Sequence, residues 1–177
     1  MKVHSTPIQG LLVIEPKVFE DERGKFFESF NQQYFTHNVC ETTFVQDNHS
    51  VSKKGVLRGI HLQRSPYEQG KLVRVIKGEI YDVAVDLRKN SSTYLKYFSL
   101  NLSSANKKQL WIPPGFGHGF LTLSETAEVA YKATNFYSKN SEITIRYDDK
   151  EIDINWPTKQ NLIISPKDLD GVLSTDL

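Results

Sequence analysis

The sequence predicts an all-β fold, an antiparallel sandwich or barrel, with a jelly roll as the first choice. Three observations predict it. Short runs of strand-forming residues recur along the chain between turn residues. No long amphipathic helix lies between them, which argues against a parallel α/β sheet. Aromatics are plentiful, with ten Phe, eight Tyr and two Trp, a composition that suits strands.

Taken in order, residues 11–14, between Gly10 and Pro16, read as a strand. The chain continues through residues 17–20 to a turn at 21–24, and residues 25–30 return as the second arm of a hairpin. Residues 31–35 fit a short helix or an irregular link. Residues 44–52 are polar but strand-like. Residues 71–76 and 79–87 read as the clearest hairpin, with Lys77-Gly78 as its turn. In its second arm Tyr81, Val83, Val85 and Leu87 share one face, and Ile80, Asp82, Ala84 and Asp86 the other. Residues 94–102, 119–123, 127–136 and 143–147 supply further strands, and residues 109–112 lead into the loop at 113–120. Ser165-Pro166-Lys167-Asp168 reads as a helix start: a serine cap, a proline at the first position and an acid in the first turn.

The chain has 177 residues, which fits one domain over 1–177. Net charge is +1 with basic residues spread along the chain, so nothing in bulk suggests nucleic acid or an acidic membrane surface. The one cysteine, Cys40, excludes an intrachain disulfide and reads as structural, which fits a reducing compartment. No window approaches the roughly 20 apolar residues of a membrane span, and the first residues lack the apolar stretch of a signal peptide. The expected location is the cytoplasm.

Two stretches gather polar chemistry. In Gly55-Val56-Leu57-Arg58-Gly59-Ile60-His61-Leu62-Gln63, followed by Gln69-Gly70-Lys71, one histidine lies between two cations. That suits proton abstraction from an anionic substrate; a core histidine with two surface cations fits equally. In Pro113-Pro114-Gly115-Phe116-Gly117-His118-Gly119-Phe120, prolines and glycines restrict the backbone around one imidazole. His61 is followed two residues later by Gln63 rather than histidine, so no metal site is expected. Tyr131 reads as a core ring or as a phenol acid, protonated at neutral pH. Asp168 reads as part of a helix start or as the carboxylate that orients a histidine. Arg23 is a solvated turn residue or, beside Phe19 and Phe26, a phosphate clamp next to a stacking ring.

Several strings stand in a fixed order. They are Phe44-Val45-Gln46-Asp47-Asn48-His49-Ser50, Gly55-Val56-Leu57-Arg58-Gly59-Ile60-His61 and Gln69-Gly70-Lys71-Leu72-Val73-Arg74-Val75. Asp82-Val83-Ala84-Val85-Asp86-Leu87-Arg88, Gln109-Leu110-Trp111-Ile112-Pro113 and Gly115-Phe116-Gly117-His118-Gly119-Phe120 follow. Ser124-Glu125-Thr126-Ala127-Glu128, Tyr131-Lys132 and Lys167-Asp168 complete the set. Together they resemble the dTDP-4-dehydrorhamnose 3,5-epimerase family, cupin-like jelly-roll enzymes of deoxysugar biosynthesis.

The resemblance implies the following roles. His61 is the general base, Asp168 its carboxylate partner, Tyr131 the phenol that returns a proton on the opposite face, and Lys71 the cation at the sugar's keto oxygen. His118 lies in the sugar pocket. Arg23, Arg58 and Gln46 contact diphosphate and nucleotide, while Asn48, Glu142 and Lys167 make further substrate contacts. Phe19, Phe26 and Glu28 form the nucleobase region, which family members build partly from the second subunit of a homodimer. Tyr137 is a pocket aromatic. No cofactor is implied, because the ketone itself acidifies C3 and C5. The implied substrate is a dTDP-linked 4-keto-6-deoxyhexose inverted at C3 and C5 through enolates, dTDP-4-dehydro-6-deoxy-D-glucose going to dTDP-4-dehydro-L-rhamnose. The alternative is inversion of a single carbon of another nucleotide-linked 4-keto sugar, since relatives with a similar scaffold do that. The chain departs from the family's usual pattern at Leu62, Gly117, Phe136 and Tyr147-Asp148-Asp149-Lys150, none of which is assigned to catalysis.

Overall fold

In the computed structural model, which describes residues Met1–Leu177, the short apolar runs form fourteen strands. They are β1 (Lys2–Ser5), β2 (Leu12–Glu15), β3 (Val18–Asp21), β4 (Gly24–Phe27), β5 (Gln46–Lys53), β6 (Val56–Gln63) and β7 (Lys71–Lys77). Then come β8 (Glu79–Asp86), β9 (Tyr97–Ser103), β10 (Gln109–Ile112), β11 (Phe116–Thr122), β12 (Thr126–Ala133), β13 (Glu142–Thr144) and β14 (Ile163–Ile164). Two short α-helices, α1 (Gln32–Asn38) and α2 (Pro166–Leu169), and two single 3-10 turns at Lys139–Ser141 and Ser174–Asp176 complete the regular structure. No helix is long and apolar enough to cross a membrane.

Two sheets make the expected jelly-roll sandwich. The first runs β1-β2-β10-β7-β12-β5 and the second β13-β6-β11-β8-β9. Within them the pairs are antiparallel, and only β14 lies parallel, beside β6. Val73, Val75, Ile80, Ala84, Leu110, Ile112, Phe116, Phe120, Ala127 and Val129 fill the space between the sheets. The C-terminal segment covers the outer face of the second sheet with Ile145, Ile152, Ile154 and Trp156. On the first sheet, α1 buries Phe35 against Trp111, their rings edge to face at 5.1 Å. Asn31 caps α1 by accepting from the Tyr34 N–H at 3.0 Å.

One expectation fails here. Residues 71–76 and 79–87 do not form a hairpin. β7 pairs with β10 and β12 in the first sheet, whereas β8 pairs with β11 and β9 in the second. The reason lies in burial. Ile80 and Ala84 point into the space between the sheets, and Val83 and Val85 into the layer behind the second sheet. A strand apolar on both faces belongs in the middle of a covered sheet, and the Lys77-Gly78 turn carries the chain across the sandwich. Gly78 has φ +78°, and a Cβ there would stand 2.2 Å from the Thr126 carbonyl oxygen and 2.3 Å from Ser124 Oγ. Gly78→Ala is therefore expected to cost about 2–4 kcal/mol. For a chain of this size that lowers Tm by roughly 5–15 °C in a thermal melt.

Strand ends also differ. The strand expected from residue 94 begins at Tyr97, because Ser91 and Thr93 turn inward to hydrogen-bond Asp86 Oδ2, both at 2.6 Å. The strand expected to reach residue 136 ends at Ala133, and that expected over 143–147 is β13, which begins one residue earlier and stops at Thr144. The hairpin over residues 17–30 is present as β3 and β4, but its second arm stops at Phe27 and it joins neither sheet.

Candidate active site

Register decides which side chains meet between the sheets, since directly opposed residues of an antiparallel pair point to the same face. Tyr131 on β12 stands opposite Val73 of β7 and Asn48 of β5. Because Val73 points inward, so do Tyr131, Lys71, Gln46, Asn48, Ser50 and Ser52. On the second sheet His118 stands opposite Ala84 and His61, and His61 opposite Thr144 of β13. His61, His118, Asp82, Glu142 and Thr144 thus face the same interior. The sandwich is apolar along one half and polar along the β5, β6 and β13 edges.

Gly59 sets how closely β6 and β11 approach. It has φ +108°, and a Cβ there would lie 2.6 Å from both Gly119 Cα and the His118 oxygen. The register shifts at this point, and His61 and His118 end up facing each other across the two strands.

His61 Nε2 lies 2.6 Å from Asp168 Oδ1. Asp168 is buried, and burial pushes its carboxyl up. The hydrogen bond and charge of His61, the Gly59 N–H and the Ser165 side chain outweigh that and hold it below the ordinary carboxylate value. An ionised Asp168 accepts only, so His61 carries its hydrogen on Nε2 and keeps the lone pair on Nδ1. Both sequence readings of Asp168 meet at α2. Ser165 caps the helix by accepting from the Asp168 N–H at 3.1 Å, and this fixes the backbone from which the carboxylate reaches β6.

Lys71 is buried and donates to the His61 carbonyl oxygen at 3.4 Å. Its Nζ lies 5.9 Å from the Tyr131 ring centre. Burial pushes the ammonium down to about 8, against the charges of Asp82 and Glu142 that hold it up. Burial also pushes the Tyr131 phenol up; Arg58 opposes this and Glu142 adds to it. Tyr131 is thus a protonated acid at neutral pH, and its ring centre lies 6.4 Å from that of His118. His118 in turn bonds through Nε2 to Asp82 Oδ1 at 2.8 Å.

The other assigned residues divide into two groups. Arg58 Nε donates to Ser52 Oγ at 3.0 Å, and Gln46 Nε2 to Asn48 Oδ1 at 2.9 Å. Glu142 Oε2 takes the Lys167 ammonium at 2.6 Å and the Tyr137 hydroxyl at 2.7 Å. These six border the polar half of the sandwich. Phe19, Arg23 and Phe26 lie on the β3–β4 hairpin and Glu28 just beyond it. Arg23 bonds Asp21 at 2.6 Å, both phenylalanines are exposed, and Glu28 accepts from Asn31 at 3.2 Å. No hydrogen bond or ion pair joins these four to His61 within one chain. Sequence reasoning missed Asp82, whose only signal was an acid on the inward face of β8 beside Ile80 and Ala84. It also missed Gln63, which ties β6 to the Phe136 carbonyl at 3.1 Å and the Ser138 N–H at 2.7 Å.

A base–carboxylate pair, a buried cation and a protonated phenol around one interior suit enolisation next to a ketone. The comparisons agree with this chemistry. A family model described as dTDP-4-dehydrorhamnose 3,5-epimerase matches residues 5–175. The chain belongs to the dTDP-4-dehydrorhamnose 3,5-epimerase family. As a member it is a carbohydrate epimerase. It is 57% identical to the dTDP-4-dehydrorhamnose 3,5-epimerase of Shigella flexneri, over 97% of this chain and 94% of that one. Among solved structures, the dTDP-4-dehydrorhamnose 3,5-epimerase of Elizabethkingia anophelis superposes with a TM-score of 0.96 at 46% identity, over 99% of this chain and 97% of that one. The dTDP-6-deoxy-D-glucose-3,5-epimerase of Legionella pneumophila, solved in complex with dTDP-4-keto-L-rhamnose, superposes at 0.95 with 46% identity, covering 98% and 93%.

For this epimerase the Lys71 shift has a measurable consequence. kcat/KM is expected to fall on an alkaline limb near pH 8 as Lys71 loses its proton. In Lys71→Arg that limb disappears up to pH 10, because a guanidinium stays charged; a pH–rate profile of both proteins checks this. Stability moves the other way. From about 8 up to the ordinary 10.5 the unfolded chain holds a proton that the folded one has released, so the Lys71 contribution to stability rises with pH across that window.

Proposed function

We propose that the chain inverts both C3 and C5 of a dTDP-linked 4-keto-6-deoxyhexose, with His61 as base, Asp168 as its partner, Lys71 at the enolate oxygen and Tyr131 as acid. One observation carries this reading. The base and the phenol belong to opposite sheets, β6 and β12, so a sugar ring between them is addressed from both faces. His61 takes the proton alpha to the C4 ketone and the electron pair moves onto the keto oxygen, where Lys71 offsets the charge. Such a donor is worth roughly 3–4 kcal/mol of barrier. Tyr131 then delivers its proton to the same carbon from the other face, and solvent restores both groups. His118 positions the sugar, Arg58, Gln46 and Asn48 hold the diphosphate and nucleotide, and Glu142, Lys167 and Tyr137 border the entrance.

The exposed β3–β4 hairpin supports a homodimer. Phe19, Arg23, Phe26 and Glu28 are too loosely tied to their own chain to serve its His61, and a second copy gives them a nucleotide to meet. A cytoplasmic location is part of this reading, since the lone cysteine fits a reducing compartment. Incubation with dTDP-4-keto-6-deoxyglucose in deuterated water is expected to place deuterium at both C3 and C5, read by NMR. Label at one carbon alone would replace this reading with a single-carbon epimerase, and label at neither would overturn it.

A further inference from the structure

The interior holds a second carboxylate–histidine pair to which no step has been given. Asp82 is fully buried in β8, and its Oδ1 accepts from His118 Nε2 at 2.8 Å. Its other oxygen, Oδ2, is buried with no hydrogen-bond partner. An uncommitted carboxylate oxygen away from water is costly unless a charge nearby compensates it. Two cations face the interior, but Arg58 is exposed and already donates to Ser52 Oγ at 3.0 Å, which leaves the buried one. Lys71 is itself buried, it has no carboxylate within ion-pair distance, and its one hydrogen bond, to the His61 carbonyl, is long at 3.4 Å.

We infer that Asp82 is a positioning residue of the reaction, holding His118 through one oxygen and using its charge to keep Lys71 protonated inside the sandwich. This rests on the reading of Lys71 as the cation at the enolate. Every element around Lys71 bears on it. β8 presents Asp82, β13 Glu142, β6 His61 and Arg58, β11 His118 and β12 Tyr131; β5 and β10 present no titratable group on that face. Asp82 and Glu142 are the carboxylates among them, Tyr131 is a neutral phenol at neutral pH, and the Asp168 carboxylate of α2 is held by His61 at 2.6 Å. Glu142 Oε2 is already bonded to the Lys167 ammonium at 2.6 Å and the Tyr137 hydroxyl at 2.7 Å, so its charge is largely spent. Asp82 is left as the anion that answers Lys71. The Asp82 and Glu142 charges are also what hold the Lys71 ammonium up against its burial. A single carboxylate therefore serves two cavity residues that belong to different sheets.

The test follows the Lys71 charge without turnover. The 13Cε shift of Lys71, assigned with Lys71→Arg, is titrated in the wild type, Asp82→Asn and Glu142→Gln. The amide keeps the shape of Asp82 and its acceptor for His118 but removes the charge. The Lys71 midpoint is expected to fall by about one pH unit or more in Asp82→Asn, and by less in Glu142→Gln. The alkaline limb of kcat/KM should fall with it, so that the loss of activity is several times greater at pH 8.5 than at pH 6.5. An unmoved midpoint, or an equal loss at every pH, overturns the proposal, since a merely structural role predicts the latter. A second readout needs no substitution. In the wild type the Asp82 13Cγ shift should step at the Lys71 midpoint, and its absence overturns the proposal even if Asp82→Asn fails to fold. A displaced midpoint with an unmoved kinetic limb would instead overturn the role of Lys71 at the enolate, and with it any catalytic part for Asp82.

Discussion

His61→Asn is expected to lower kcat by about a thousandfold and to abolish deuterium exchange at both carbons, since a positioned general base contributes roughly 10²–10⁴-fold. Asparagine retains a polar group next to Asp168 but has no basic nitrogen. If His61 were only a core histidine, its loss would be read in Tm and exchange would persist; persistent exchange at near wild-type rate is the result that would sink the assignment. Asp168→Asn should lose less, about 10–100-fold, because the imidazole remains but its tautomer is no longer fixed at Nε2. The double variant should be hardly worse than His61→Asn alone, as groups that act as one unit are not additive.

Tyr131→Phe is expected to separate two processes that the wild type couples. Phenylalanine keeps the ring that lies 6.4 Å from His118 and 5.9 Å from the Lys71 ammonium, so packing is preserved. Only the proton donor is lost. Exchange of the first proton with solvent should survive within a few-fold. Formation of the inverted product should fall by about 10²–10³-fold, because the second face has no acid. NMR resolves the two as label incorporation into substrate against appearance of product. Equal loss of both would place Tyr131 on the same step as His61, and no loss of either would return it to the core.

Much of the sandwich was legible because its strands alternate. β12 was readable as Ala127, Val129 and Tyr131 against Glu128 and Lys132, and the structure keeps that division. The partner of each strand was not legible. β8 is apolar on both faces, so no local pattern shows which sheet it joins, and the turn at Gly78 looks the same whether it closes a hairpin or crosses the sandwich. The candidate site was legible in pieces. His61 and Lys71 were gathered by sequence proximity, but Asp168 lies 107 positions from His61 and reaches it only because α2 docks on β6. Asp82 has no motif around it, and its role depends on what faces it from the other sheet. The β3–β4 hairpin carries the converse lesson. Arg23, Phe19 and Phe26 were readable as a clamp at a turn tip and the resemblance added Glu28, yet nothing in one chain brings them to the site.

The division of the interior into an apolar and a polar half reaches beyond catalysis to how such a chain can change. A single strand, β12, offers Val129 to one half and Tyr131 to the other. Substitutions at the first position trade in folding, and those at the second mainly in reactivity, as long as a ring still packs on the core there. The scaffold can therefore keep its melting temperature while the polar lining drifts toward another sugar. A carbon can be gained or dropped from its repertoire without rebuilding the barrel of hydrophobic contacts beside it.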